Sequence, residues 1–201
     1  MPRPKQRTPE LRDRVLRVAL EVLAEDGVAG LTTRAVARRA DTSVPAIYEL
    51  FGDKAGLVRE LFVEGFRRLA DRMVAVGVTD DPRDDLVRLI AAYRRFVRDS
   101  PTLADVMFSK PFAAVGPGPD GVLAGVTARE TVVEAVRRAI DAGVVAGDPV
   151  DVAHVLLAMA QGLVAQESAG WLGRSSESVE RRWALALDAT LDGLRPPARA
   201  R

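Results

Sequence analysis

The sequence predicts an all-α protein, and three observations predict it. Apolar residues recur at three- and four-residue intervals along nearly the whole chain, helix-start and helix-stop residues punctuate those runs, and no segment shows the two-residue alternation of a strand. With 201 residues, 48% hydrophobic and 28% charged, the chain can fill a core and is too apolar for disorder. This length suits one helical domain or a small domain joined to a larger one. Lys and Arg total 29 against 28 Asp and Glu, so attraction to nucleic acid has to come from a local arrangement. The absence of cysteine excludes disulfides, zinc ribbons and thiol catalysis. No signal-peptide core and no charge-free apolar run of membrane-spanning length stand out, which predicts a cytoplasmic protein with no membrane partner.

The first seven residues form a Pro-punctuated basic arm carrying Arg3, Lys5 and Arg7, suited either to a solvated tail or to lying along phosphates. Thr8, Pro9 and Glu10 then supply a cap, a proline at the first helical position and an early acid. Leu11, Val15, Val18, Ala19, Val22 and Leu23 are the buried stripe of this first helix, and Gly27 ends it. The stretch 31–57, LTTRAVARRADTSVPAIYELFGDKAGL, reads as two short helices joined by a tight turn and followed by the start of a long one. Thr32 or Thr33 caps the first; Asp41, Thr42 and Ser43 make the turn; Ser43 caps the second, with Pro45 in its first turn. Ala46, Ile47 and Leu50 point inward, leaving Val44, Pro45 and Tyr48 outward. Gly52 and Asp53 open a third helix carrying Lys54 and Leu57. This is a helix-turn-helix pattern.

In order and spacing, Thr32-Thr33-Arg34, Val36-Ala37, Pro45, Ile47-Tyr48, Phe51, and Lys54 followed by Leu57 resemble the DNA-binding domain of the TetR family of bacterial transcriptional regulators. The resemblance covers about the first third of the chain. It implies an N-terminal three-helix helix-turn-helix domain joined through a long helix to a C-terminal helical ligand-binding and dimerisation domain. The corresponding divisions are 1–52 for the arm and reader, 53–77 for the connecting helix, 78–196 for the C-terminal domain and 197–201 for a tail.

Later helices follow from the same signals. Leu57, Leu61, Phe66, Leu69 and Met73 line the connecting helix, and Asp81 or Pro82 opens the next, with Asp84 and Asp85 as acids favoured by the helix dipole. Ser100-Pro101 restarts the chain in a short helix; Pro111–Gly121 reads as a loop; a helix follows over 122–143. The helix from Val150 to about Ala169 is apolar almost all round and therefore packs on its own core and on something more. Ser175 or Ser176 starts the last helix. The excess apolar surface of these two helices predicts a four-helix seam in a homodimer, with Leu156, Val164, Trp183, Leu187 and Leu191 at the interface, as the resemblance also implies. The segment FVRDSPTLADVMFSKPF together with AHVLLAMAQGLVAQE is similar to one C-terminal subclass of the family, although Ala158, Gln161 and Gly162 replace that subclass's Trp, His and Gly.

The DNA-binding set is Thr33, Arg34, Ser43, Val44, Pro45, Ala46, Tyr48 and Lys54. Arg34 offers a donor fork suited to guanine O6 and N7, with a solvated surface arginine as the alternative. Thr33 can reach a phosphate or simply cap. Val44, Pro45 and Ala46 suit thymine methyl groups. Tyr48 and Lys54 resemble the family's phosphate-bonding tyrosine and lysine. Three positions depart from the pattern: Leu50 for His or Tyr, Glu49 as an acid near the groove, and Asp41 for the turn glycine. Phe96, Met107, Phe108, Phe112, Met159 and Gln161 are candidates to line an effector pocket, with His154 and Gln166 as other polar handles; Met and Phe at helical spacing are more commonly core. Such a pocket would favour a small hydrophobic effector.

The expected function is a ligand-responsive regulator, a repressor, that binds an inverted-repeat operator in double-stranded DNA as a homodimer. A constitutive DNA binder or dimeric interaction protein with no inducer is the alternative. An enzyme is not expected: no GxSxG, P-loop or HExxH motif is present and His154 is the single histidine. No metal or cofactor is expected.

Overall fold

Side-chain caps define where the helices begin. The computed structural model describes residues 8–108 and 118–197. Thr8 caps α1 (Pro9–Gly30), its hydroxyl accepting from the Leu11 amide at 3.3 Å. Gly27 interrupts α1 with φ 67°, so the chain kinks there before one last turn. α2 (Thr33–Arg39) and α3 (Val44–Phe51) are each capped by a hydroxyl, Thr32 to the Ala35 amide at 3.1 Å and Ser43 to the Ala46 amide at 3.2 Å. Asp53 caps α4 (Lys54–Val74) through the Gly56 amide at 2.6 Å. α5 (Pro82–Asp99), α6 (Pro101–Phe108), α7 (Gly118–Asp141), α8 (Pro149–Ser168) and α9 (Ser176–Gly193) follow, and the described residues contain no strand. Asp148 caps α8, and Ser175 with Ser178 makes a reciprocal capping box on α9. The fold is all-α.

α7 begins earlier than its sequence suggested. Pro119 fits its first turn because a proline lacks only an N–H that the helix start leaves unbonded, so the helix takes in 118–121, which read as loop. The rest of that segment, 109–117, lies outside the described residues, as do the basic arm and the last four positions.

Two compact units divide the chain: residues up to Phe66 with Ser100–Ala124, and Arg67–Asp99 with Gly125 onward. This grouping differs from the division at 52/53, because the first part of α4 belongs with the helix-turn-helix and α6 packs there too. Val106 joins the core formed by Val15, Val22, Leu31, Val36, Ile47, Leu57 and Leu61. Phe66 and Phe108 meet edge to face at 5.9 Å, and Met107 lies so close to Gly65 that a side chain there would collide with it.

In the second unit, Leu86, Ile90, Phe96, Val136, Leu156 and Leu191 are fully buried. Its polar joints are two arginine clusters. Arg94 of α5 makes paired hydrogen bonds to Glu167 of α8 at 2.8 and 2.9 Å and to Glu180 of α9 at 2.7 and 2.8 Å. The same guanidinium lies 4.8 Å from the ring centre of Trp183, whose indole donates to Glu167. Burial alone would push the Glu167 carboxyl up, but Arg94 and Trp183 outweigh it and hold it below its ordinary value. The second cluster centres on Asp85, expected from sequence as an acid favoured by the helix dipole and found buried. It accepts from the Thr79 amide and hydroxyl, from Arg138 at 2.7 Å and from Arg88. Burial favours the neutral acid; those donors prevail and keep its pKa far below the carboxylate range. Asp81 is the residue that caps α5, accepting from the Arg83 and Asp84 amides.

Candidate nucleic-acid interface

The first unit holds α2 and α3 on one core while leaving their other faces open. Val36, Ala37 and Ala40 of α2 and Ile47 and Phe51 of α3 are buried. The turn between them closes as a Schellman motif: the Thr42 amide donates to the Ala37 carbonyl at 2.9 Å and the Asp41 amide to Arg38 at 3.4 Å. Asp41 takes the left-handed position at φ 48°, the one non-glycine among the described residues with positive φ. Gly52, at φ 76°, ends α3 and lets the chain turn into α4.

All eight residues of the sequence-derived set fall on this unit, most of them accessible. Arg34, Ser43, Pro45, Tyr48 and Lys54 are exposed, and Thr33, Val44 and Ala46 are half-buried. Tyr48 keeps 49% of its surface open. Thr32 supplies the α2 cap, so Thr33 stands at the first helical position with its hydroxyl free of that duty. Val44 packs partly against the core instead of standing wholly outward, which leaves Pro45 as the more open apolar tip of α3. Leu50 also leans on the core.

Charge is sorted on this unit. Arg12 pairs with Glu60, Arg17 with Glu21 at 3.4 Å, Arg59 with Asp53 at 3.8 Å, and Arg39 with Glu25 and Asp26. Arg14, Arg34, Arg38 and Lys54 have no carboxylate partner among the described residues. Arg39 thus ties α2 to the end of α1, while Arg34 remains available. A helix with a free guanidinium, a second helix with a hydroxyl-capped start and an apolar tip, and a lysine opening the third suit a major groove flanked by phosphates.

The other sequence candidates are dispersed. Leu156, Val164, Trp183, Leu187 and Leu191, expected at a subunit seam, are buried within the second unit, because α8 and α9 turn these side chains toward their own chain. The accessible stripe of α8 runs through His154, Val155, Ala158, Gln161, Gly162 and Ala165, and Leu185 of α9 is 67% exposed. Phe96 is buried in the second unit, Met159 is half-buried there and Gln161 is on the open stripe. Met107 and Phe108 belong to the first unit, and Phe112 lies outside the described residues. A cleft of about 280 Å³ in the second unit is lined by Asp81, Arg83, Asp84, Val87, Ala184, Leu187 and Asp188, and includes none of these six.

Fold and surface together define a helix-turn-helix DNA-binding protein. Residues 15–61 match the family model "Bacterial regulatory proteins, tetR family", and residues 86–190 match "Tetracyclin repressor-like, C-terminal domain". The chain therefore belongs to the TetR family of transcriptional regulators. It is 28% identical over 142 residues to the HTH-type transcriptional regulator Rv1816 of Mycobacterium tuberculosis, covering 69% of this chain and 59% of that protein. The chain thus spans about three-fifths of the length of that curated relative. Over 75 residues it is 39% identical to the class C tetracycline repressor protein of Escherichia coli, covering 37% of this chain and 31% of that one. A solved structure of a protein of unknown function from Rhodococcus sp. RHA1 superposes with a TM-score of 0.82 at 28% identity, over 97% of this chain and 100% of that one.

Proposed function

We propose that this regulator is a cytoplasmic repressor that binds a palindromic operator as a homodimer and is released by a small hydrophobic effector. The observation that carries the operator reading is the sorted charge of the first unit. Arg34 and Lys54 are exposed and unpaired, as Pro45 and Tyr48 are exposed, while Arg12, Arg17, Arg39 and Arg59 of the same unit are neutralised in place. In this reading Arg34 reads a guanine, Val44, Pro45 and Ala46 meet thymine methyls, and Thr33, Ser43, Tyr48 and Lys54 fix the register on phosphates.

Support for a homodimer comes from α8. Its most apolar window has a mean hydropathy of 1.2, yet only 28% of that window is buried within the chain. By length and composition alone this helix could cross a membrane. Asp151, His154, Gln161 and Gln166 interrupt its open side, a pattern that suits another protein surface better than lipid. Small residues at 158, 162 and 165 allow a second helix to approach closely, and Leu185 extends the apolar face onto α9.

A second reading has a specific observation behind it. Phe96 and Met107 are buried, Met107 against Gly65, so these two side chains serve as core, while Phe108 meets Phe66 edge to face and keeps 41% of its surface open. A constitutive operator-binding dimer follows if no effector displaces them.

Duplexes carrying two half-sites about one helical turn apart test the main reading. Two protomers should bind per duplex, and inserting about five base pairs between half-sites, which turns one to the opposite side, should abolish cooperative binding. Equal binding to both duplexes would rule out a two-headed dimer. Release from the duplex by members of a panel of hydrophobic small molecules separates the effector reading from the constitutive one.

A further inference from the structure

Arg38 was not among the residues expected to meet DNA. It stands one turn beyond Arg34, on the side of α2 away from the buried Val36, Ala37 and Ala40. Residues four apart on a helix have Cβ atoms about 5–6 Å from each other, so the two guanidinium groups leave neighbouring points of one face. Both are exposed and neither has a carboxylate partner among the described residues. The contrast with the next residue is informative. Arg39 is held by Glu25 and Asp26, which fastens α2 to α1 and cancels its charge locally. Arg38 performs no such task. The helix end offers it only the weak attraction of a C-terminal dipole.

We propose that Arg38 is a second DNA-contacting guanidinium of α2, gripping a backbone phosphate beside the base that Arg34 reads. The proposal rests on the operator reading above. In this arrangement the two arginines divide the work: Arg34 carries sequence information, and Arg38 contributes charge neutralisation that is independent of sequence.

The test measures binding of the wild type, Arg38→Gln, Arg38→Lys and Arg39→Gln to a labelled duplex chosen by site selection, across a salt series. Arg38→Gln should weaken binding of the dimer about a hundredfold, the loss of one charge-assisted contact in each protomer. It should also reduce the slope of log affinity against log salt by about 1.8, the share of two phosphates, one under each protomer. Its selected consensus should match that of the wild type. Arg38→Lys should keep the slope, since an ammonium also neutralises a phosphate. Arg39→Gln should leave the slope unchanged, with thermal unfolding separating its effect on folding from its effect on DNA. An unchanged slope and affinity for a folded Arg38→Gln would overturn the proposal, as would a changed consensus, which would mean a base contact. Failure of the wild type to show salt-dependent binding to any duplex would instead overturn the operator reading beneath it.

Discussion

The side chain on which base reading turns is Arg34, because its guanidinium is open, unpaired and set at the start of α2. Arg34→Ala should relax preference at one base position of each half-site by about 1–3 kcal/mol while leaving the others intact. Equal loss on all sequences, measured by binding to a panel of single-base variants, would make it a phosphate contact. At Asp41 the backbone is left-handed, φ 48°, where an L side chain is strained and glycine is not. Asp41→Gly should therefore raise stability by about 0.5 kcal/mol, after the entropy that glycine adds to the unfolded chain. A thermal midpoint that fell would show that the aspartate holds the turn by other means. Both positions could be singled out from the sequence, one by its Thr-Thr-Arg setting and one by occupying a glycine's place. Arg38 could not, because its lack of a partner shows only once Arg39 is seen paired with Glu25 and Asp26.

At the scale of elements, the helices were legible because caps and apolar spacing are local. Thr8 and Ser43 each begin the helix that their position predicts, and Thr32 and Ser175 are the caps within the pairs Thr32 or Thr33 and Ser175 or Ser176. What was not legible was which helix face meets which neighbour. Trp183, Leu187 and Leu191 satisfy an interface pattern and a core pattern equally, and only packing shows that they are core. Asp85 illustrates the same limit: an acid in the first turn of α5 fits the dipole rule, but Thr79, Arg88 and Arg138 converge on it from other segments. Asp85→Asn should lower stability at neutral pH by about 2–4 kcal/mol, moderated because the side chains of Arg88 and Arg138 remain 33% and 27% exposed. The native carboxyl titrates below its unfolded value, so its contribution is complete above about pH 4 and is lost as pH falls toward the native pKa. The gap between variant and wild type should accordingly narrow in acid. Denaturant titrations at pH 7 and pH 3 check this; a gap of the same size at both would mean the ionised form is not what stabilises the joint.

For the whole molecule, the account requires a dimer whose two heads address one duplex. The open side of α8 and α9 is the candidate seam, so Leu185→Glu should give monomers in sedimentation with the helix content unchanged. A dimer that persisted would move the seam elsewhere. Leu187, chosen from sequence, is the wrong probe: it is buried, and a charge there would damage the unit itself. Membership of the TetR family supports the reader and the all-α frame. The measurement that bears most directly on the central claim is selection of bound sites from a randomised duplex library at two salt concentrations. A two-headed operator reader gives a palindromic consensus that survives the higher salt, its half-sites about one turn apart. Unrelated sequences that vanish with salt would contradict it, leaving phosphate attraction without reading.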